Sequence, residues 1–417
     1  MPYTAELIAV GTELLLGNIA NTDAQMISEG LSAIGINVYY HTVVGDNPAR
    51  LRSAVDIAKG RADIIITTGG LGPTCDDLTK QTLAQAFGLP LEFDQESAGR
   101  IAAYFQRLHP KRPMTDNNLQ QAMLPKGCTI FSNDWGTAPG CAFQAEGVHV
   151  LMLPGPPREC RAMFTHRALP YLRKLGDGTI VSRTLKIFGM GESAVEDLLR
   201  ERMNAMSNPT LAPYAKEGEV ELRITAKAPT DGEARALIAP VEEDLRTLLG
   251  HKVYGADIHS LEEAAFALLE AQGLTLGTAE SCTGGLVAKR ITDLPGSSAV
   301  LKGGVVSYTN EVKHGVLGVT QDLLDRYGAV SAQVAEAMAR GARSVLGCDL
   351  ALSTTGVAGP DPDDRGNPVG LVYVALAGPD FCHVREVHLG SGRERVRHLA
   401  ANHCFDLVRR YLNGLPM

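Results

Sequence analysis

Short runs of β-branched and aliphatic residues alternate with helix-length amphipathic stretches from Glu6 to about Leu172, and the alternation returns after Ser260. A strand buried on both faces needs a continuous apolar run, and a crossover helix must return the chain before the next parallel strand is laid down. This texture therefore predicts α/β folds in which helices cover a doubly wound, mostly parallel sheet. In the first stretch, strands are expected at Leu7 to Val10, Val38 to Val43, Ile64 to Thr68 and Val148 to Leu153, with Asn47-Pro48 opening the helix after the second. The unusual loops all follow these strands: Gly11-Thr12-Glu13, Gly45-Asp46-Asn47, the run Gly69 to Asp77, and Pro154 to Arg158. In an open α/β sheet such loops converge on one crevice at the carboxyl ends of the strands.

At 417 residues the chain exceeds one ordinary core. Three divisions are expected: 1–172, 173–256 and 257–417. The middle one changes texture, with a strand at Thr184 to Phe188, a helix from Glu192, a clearly alternating strand at Val220 to Ala226, and a helix from Gly232 to Leu249. It reads as a small α+β connector with a linking or dimerising role. Its Gly189-Met190-Gly191-Glu192 turn does not fit the GxxG clamp of RNA-binding KH domains. In the last division, strands are expected near Leu274 to Thr278, Gly304 to Tyr308, Leu350 to Thr354 and Gly370 to Leu376. A closing helix from about Glu394 to Leu412 is assigned no catalytic role.

A net charge of -8 argues against binding a polyanion through neutralised phosphates, so nucleic acid is not an expected partner. Eight scattered cysteines form no CxxC pair or zinc spacing and read as reduced thiols. The start, from Met1, lacks a basic region followed by an apolar core, and no apolar run approaches the ~20 residues of a membrane span. A cytoplasmic protein with no membrane partner is expected.

Three runs near the C-terminal end carry chemistry. Thr278-Ala279-Glu280-Ser281-Cys282-Thr283-Gly284-Gly285 leaves a strand and enters a helix, so its glycines and free N–H groups suit an anion such as a phosphate. Taken alone, the run also fits a capped helix start. A second run, Gly303 to Lys313, passes from strand to helix with Asn310 as N-cap and Lys313 in the first turn, where the helix dipole lowers a lysine's pKa. A partly neutral lysine is a base, so Ser281 and Lys313 suit a Ser-Lys pair for acyl transfer, with Tyr308 relaying a proton or aligning the pair; taken singly, Lys313 reads as a solvated surface lysine and Tyr308 as a packing tyrosine. Cys282 is the second choice as nucleophile. The third run, Ser353 to Asp361, offers small residues and free N–H groups to phosphate or ribose, and the following Pro362 to Asn367 reads as a solvated loop.

The strings TAESCTGG, SYTNEVK and TTGVAGPD, in this order, resemble the C-terminal domain of the CinA family, the PncC-type nicotinamide mononucleotide deamidase, over about Leu261 to Leu412. The resemblance implies hydrolysis of nicotinamide mononucleotide to nicotinate mononucleotide and ammonia without a cofactor. Ser281, Tyr308 and Lys313 fall on the family's serine, tyrosine and lysine. Backbone N–H groups near Gly303 or Thr283 would hold the oxyanion. Asn310 and the turns Thr283, Gly284, Gly285 and Thr355, Gly356 through Gly359 would position ribose and phosphate. Asn367 stands where a lysine often precedes Pro-Val-Gly, and Leu371 where threonine is frequent.

The segments VGTELLLGNIANTDAQ, TTGGLGPTCDDLT, GTAPG and LPGPPRE resemble the other half of CinA, a molybdopterin-binding-like domain to which ADP-ribose pyrophosphatase activity is assigned. Asn133-Asp134 stands where the family usually has Asn-Pro. The resemblance implies phosphate binding at Gly69, Gly70, Gly72, Thr74, Gly136 and Thr137. Asp46 and Asp77 fall on the telling acids, and Glu13 and Asp76 are further candidates for holding Mg²⁺ or a similar divalent metal. Asp76 also suits a cap for the following helix. The whole then reads as a homodimeric, two-activity enzyme of pyridine-nucleotide salvage, with a KH-like connector over 173–256 between its two domains, whose partners are small nucleotides. Competing readings are a non-catalytic adaptor in competence or DNA damage and a pterin-binding N-terminal half.

Overall fold

In a computed structural model, residues 3–108, 114–175, 178–390 and 392–417 are described; Met1 and Pro2 of the start read above lie outside them. The chain forms two compact units, Met1–Ser182 with Ala226–Ala236, and Arg183–Thr225 with Leu237–Met417.

The first unit is built on a six-stranded sheet in the order Asn37–Val44, Thr4–Val10, Ile64–Thr68, Val148–Leu153, Gly140–Ala145, Thr129–Phe131. The first four are mutually parallel and the last two antiparallel. Strand alternation explains the double winding. Ile8, Ile65, Val150 and Met152 pack with Leu51, Val55 and Leu83 from the helices Pro48–Lys59 and Thr79–Ala86. Leu7, Ile64, Ile66 and Leu151 pack on the other face with Ile27 and Leu31 of Thr22–Ala33 and with Met163 and Phe164. All four expected strands are present, and Asn47 caps the helix as expected, its Oδ1 accepting from Arg50 N at 3.0 Å. The antiparallel pair at the edge went unread because Thr129–Phe131 is only three residues long and Gly140–Ala145 carries no β-branched residue.

Most of a four-stranded sheet and the whole of a five-stranded one belong to the second unit. One has the order Thr210–Lys216, Glu219–Ala228, Thr179–Phe188, Val253–Ala256. In it Val220, Leu222, Ile224 and Ala226 are buried at alternate positions, the pattern of a sheet covered on one side. The other has five strands in the order Leu301–Val306, Leu276–Glu280, Leu350–Gly356, Leu371–Ala377, Cys382–His388. Its first three strands are parallel and its last two antiparallel. The closing helix Arg393–Leu412 buries Leu399, Phe405, Leu407 and Val408 against this sheet. Asp406, 1% exposed on that helix, accepts from Arg385, Arg409 and Arg410.

One boundary is corrected. The strand expected at Gly304 to Tyr308 runs from Leu301 to Val306 and so ends before Ser307. Gly303 therefore sits mid-strand, opposite Gly277, three residues short of the strand's end.

Candidate active site

In the second unit, Ser281 directly follows Leu276–Glu280, the second strand of the five-stranded sheet, Ser307 follows its parallel edge neighbour, and Val357 follows the central strand on its other side. The main chain ties these ends together: Ser281 N donates to Thr354 O at 2.9 Å and Ser307 N to Glu280 O at 2.8 Å. Lys313, on the short helix Asn310–Gly315, returns its side chain into this junction. Its Nζ donates to Ser281 Oγ at 3.2 Å and to Ser307 O at 2.9 Å, and the residue is 1% exposed.

Burial lowers the Lys313 pKa, against the opposing pull of Cys282 and Glu311. The direction agrees with the sequence reading but the cause differs. The helix N-cap is Thr309 rather than Asn310, and Lys313 lies late in a six-residue helix, so desolvation rather than the dipole does the lowering. Cys282 is disfavoured as nucleophile: it is buried, and that burial pushes its thiol up to about 11.

The turn after Ser281 is held from beneath by Glu280, 1% exposed. Its carboxylate accepts from Thr283 Oγ1 at 2.7 Å, Val287 N at 3.0 Å and Ala288 N at 2.8 Å. The helix start expected to meet a phosphate thus has two of its N–H groups occupied by a side chain of this chain. Thr283 is corrected accordingly. It is fully buried and shares a 2.7 Å bond with Thr354 Oγ1, so its side chain shapes the turn instead of meeting ligand. Thr355 is likewise turned inward, its Oγ1 donating to Ala329 O at 2.6 Å. Gly356 ends its strand where an added Cβ would come within 2.7 Å of Leu371 O, so close strand packing accounts for it. Gly303 lies too far down its strand to serve an oxyanion at Ser281. Gly284, Gly285 and Asn310 remain at the surface of the junction.

Two residues that the sequence reading passed over complete this rim. Arg393 Nη1 donates to Gly359 O at 2.8 Å and its Nη2 to Tyr308 Oη at 3.0 Å. Arg397 donates through Nε and Nη2 to Thr283 O at 3.2 and 2.8 Å. Tyr308, 58% exposed, is thus oriented by Arg393 and has no bond to the Ser-Lys pair. The i, i+4 spacing of the two arginines was the available signal, but a closing helix rich in arginine also fits a solvated face.

In the first unit, the four expected loops do lie at the carboxyl ends of four adjacent parallel strands. Asp46 Oδ2 accepts from Thr12 N at 3.0 Å and Thr12 Oγ1 at 2.7 Å. Asp77 Oδ2 accepts from Thr74 N at 2.9 Å and Thr74 Oγ1 at 2.6 Å. Gly69 must be glycine: at φ 93° an added Cβ would lie 2.2 Å from Val10 O. Gly70, also at positive φ, leaves room for Thr79 Oγ1, and Gly72 does so for the Asp77 carboxylate.

Asp76 does not cap the next helix, whose N-cap is Leu78 without a side-chain bond. Gly136 is corrected too. A Cβ there would collide with the Glu159 carboxylate, which also accepts from Asn133 Nδ2 at 2.7 Å, so this glycine faces an acid and repels a phosphate. Thr137 beside it is half-buried. Among the described residues no group of three or more His, Cys, Asp or Glu side chains is placed to hold a metal ion. Lys80, 2% exposed and held down to about 8 by burial, donates to Gln121 O at 2.6 Å and braces the segment behind Asp77.

All eight cysteines are free thiols. Among the described residues no helix is long and apolar enough to cross a membrane.

Three family profiles match in order: "Probable molybdopterin binding domain" over residues 6–174, "Damage-inducible protein CinA KH domain" over 182–255, and "CinA C-terminal domain" over 258–412. A protein from Acetivibrio thermocellus named as competence-damage inducible is 47% identical over 99% of both chains. One so named from Caldanaerobacter subterraneus is 49% identical over 98% of both. Among solved structures, a competence/damage inducible protein from Agrobacterium tumefaciens is 37% identical, covering 37% of this chain and 97% of that one at a TM-score of 0.36. The molybdopterin biosynthesis enzyme MoaB of Thermus thermophilus is 20% identical, covering 42% of this chain and 95% of that one at a TM-score of 0.28. With such identity over nearly its whole length, the chain belongs to the CinA family of competence-damage inducible proteins.

Proposed function

We propose that the second unit hydrolyses the carboxamide of nicotinamide mononucleotide, releasing ammonia and nicotinate mononucleotide. The observation that carries this reading is the buried Lys313 Nζ, 3.2 Å from Ser281 Oγ. Ser281 Oγ attacks the carboxamide carbon as its proton passes to Lys313 Nζ. Lys313 then returns that proton to the departing ammonia, leaving an acyl ester. Water hydrolyses the ester, giving the carboxylate and restoring the Ser281 hydroxyl. Main-chain N–H groups of the turn after Ser281 stabilise the oxyanion, although that of Gly284 is already taken by Ser281 O at 3.1 Å. Arg393 and Arg397 supply the cationic rim for the substrate phosphate, a role that the turns alone cannot fill while Glu280 occupies the helix start. No cofactor takes part in this scheme.

The first unit is assigned a metal-dependent ADP-ribose pyrophosphatase activity. Asp46 and Asp77 each direct one oxygen at a threonine, which leaves the other for a divalent cation. Two carboxylates suit Mg²⁺, which commonly completes its shell with waters and substrate phosphates. Such an ion would neutralise the pyrophosphate and polarise its phosphorus, while the loop from Gly69 to Thr74 holds the phosphates. Both substrates come from breakdown of NAD, so the chain serves pyridine-nucleotide salvage as a cytoplasmic homodimer.

Ammonia release from nicotinamide mononucleotide by the full chain and by Ser281→Ala tests the first assignment. Turnover by the parent and its loss in the variant is expected; a parent that releases no ammonia removes it.

A further inference from the structure

Outside both sites, the second unit holds a cavity of ≈ 360 Å³ between the 189–191 turn, the hairpin around Gly218 and the closing helix. Its volume lies in the range of small-molecule sites. The closing helix presents different faces to its two neighbours. Arg393 and Arg397 reach the Ser281 junction, whereas Arg395, Leu399 and His403, spaced i, i+4, i+8, line this cavity.

The lining divides by chemistry. Phe188, Val220 and Leu399 are buried and give an apolar floor, with Phe188 set edge-on to the His403 ring at 5.1 Å between centroids. Lys216 and Arg395 supply the cations. Arg395 has no side-chain partner among the described residues, and Lys216 has only a 4.0 Å approach to Glu221. The 14-residue helix Glu192–Ala205 begins at the cavity with Gly191 as N-cap and no side-chain bond, adding a positive helix end to the two cations. Glu192 and Glu219 also line it. Glu219 accepts from Tyr254 Oη at 2.7 Å and, with Glu192, offers acceptors for hydroxyl donors. An apolar and aromatic floor, carboxylate acceptors, and an unpaired Arg395 with a loosely paired Lys216 beside an open helix start match, in turn, a base, a ribose and a phosphate.

We propose that this cavity is a second nucleotide site, distinct from the Ser281 junction, which binds a nucleoside monophosphate with its phosphate at Arg395 and Lys216. Met190 lines the cavity and gives a local probe. The full chain is labelled with ¹³C-methyl methionine, the Met190 signal is assigned through Met190→Leu, and AMP is titrated to millimolar concentration. A saturable shift of that signal is expected. It should persist in Ser281→Ala/Arg393→Ala, which disables the other site, and should need about tenfold more AMP in Lys216→Glu/Arg395→Glu. Adenosine, lacking the phosphate, should bind weakly in the parent and equally in that double variant. A Met190 signal that stays still while AMP shifts other methionines would overturn the proposal, as would an unchanged AMP midpoint in Lys216→Glu/Arg395→Glu.

Discussion

Replacing Lys313 by methionine separates catalysis from stability. The side chains have similar length, so the buried slot stays filled, but Nζ and its bonds to Ser281 Oγ and Ser307 O are lost. Leaving the Ser307 carbonyl without its donor costs about 1–3 kcal/mol. Removing an ammonium from a 1%-exposed position returns a comparable amount, because its desolvation is no longer opposed to folding. The urea midpoint should therefore move little. The rate should not be spared: loss of a positioned general base typically lowers turnover about 10²–10⁴-fold, or about 3–5 kcal/mol at the barrier. The pH dependence supplies a second readout. Burial lowers the Lys313 pKa, so the neutral base grows as pH rises through that lowered value, and the parent's kcat should climb along a limb below the ordinary lysine range. Stability has the same sign. The unfolded chain binds the proton more tightly, so the parent gains stability between the lowered pKa and the ordinary 10.5, and Lys313→Met abolishes that gain. Ammonia release measured from pH 6 to 10, beside urea melts, tests all three. Turnover within about tenfold of the parent in a folded Lys313→Met chain would refute the lysine as base.

Arg393→Ala should raise the KM for nicotinamide mononucleotide more than it lowers kcat, and should affect nicotinamide riboside, which lacks the phosphate, far less; equal effects on both would remove the phosphate role. Chelation with EDTA should abolish ADP-ribose hydrolysis and leave ammonia release intact, and Asp77→Asn should reproduce the first loss alone, as assays of AMP formation and of ammonia can show. Asp406→Asn should destabilise the second unit by about 3–5 kcal/mol in urea titration, because it strips a charge from three arginines around a 1%-exposed carboxylate. Burial, with Arg385 beside it, lowers His403 to about 4, so stability should fall as pH drops from about 6.5 towards 4, by at most about 3 kcal/mol. His403→Gln should flatten that slope, and an unchanged slope would place the acid sensitivity elsewhere.

The inner strands of the first unit were legible because they are buried on both faces: Ile64–Thr68 and Val148–Leu153 have no exposed residue, and their loops follow at the sheet's carboxyl edge. At the Ser281 junction, Leu301–Val306 alternates partly buried with exposed residues, and its end was misplaced. The edge strands Thr129–Phe131 and Cys382–His388 were not, since partly exposed edge strands with polar residues share their composition with loops. Within the site, the motif residues with unusual chemistry were legible and the ones with ordinary chemistry were misassigned. Thr283 and Thr355 stand in runs that suit a ligand, yet their hydroxyls are spent on Glu280, Thr354 and Ala329. Periodicity cannot tell a threonine that faces a substrate from one that fixes a turn.

That distinction follows from where the buried charges sit. A carboxylate beneath the Ser281 turn, as Glu280 is, fixes the turn by taking the N–H groups of Val287 and Ala288, and so removes donors that a bare helix start would have offered a phosphate. On the proposed reading, the anion is met by side chains from elsewhere in the fold, Arg393 and Arg397 of the closing helix, which reach the carbonyls of Gly359 and Thr283 at the junction. Glu280→Gln tests the division of labour. The amide can still accept one N–H but turns its NH₂ towards another donor, so the second unit should lose about 1–3 kcal/mol. If the phosphate is held by the arginines, KM for nicotinamide mononucleotide should stay near the parent value while kcat falls as Ser281 loosens. A lower KM in this variant would mean that the freed helix start binds the phosphate after all, and the arginine assignment would fall.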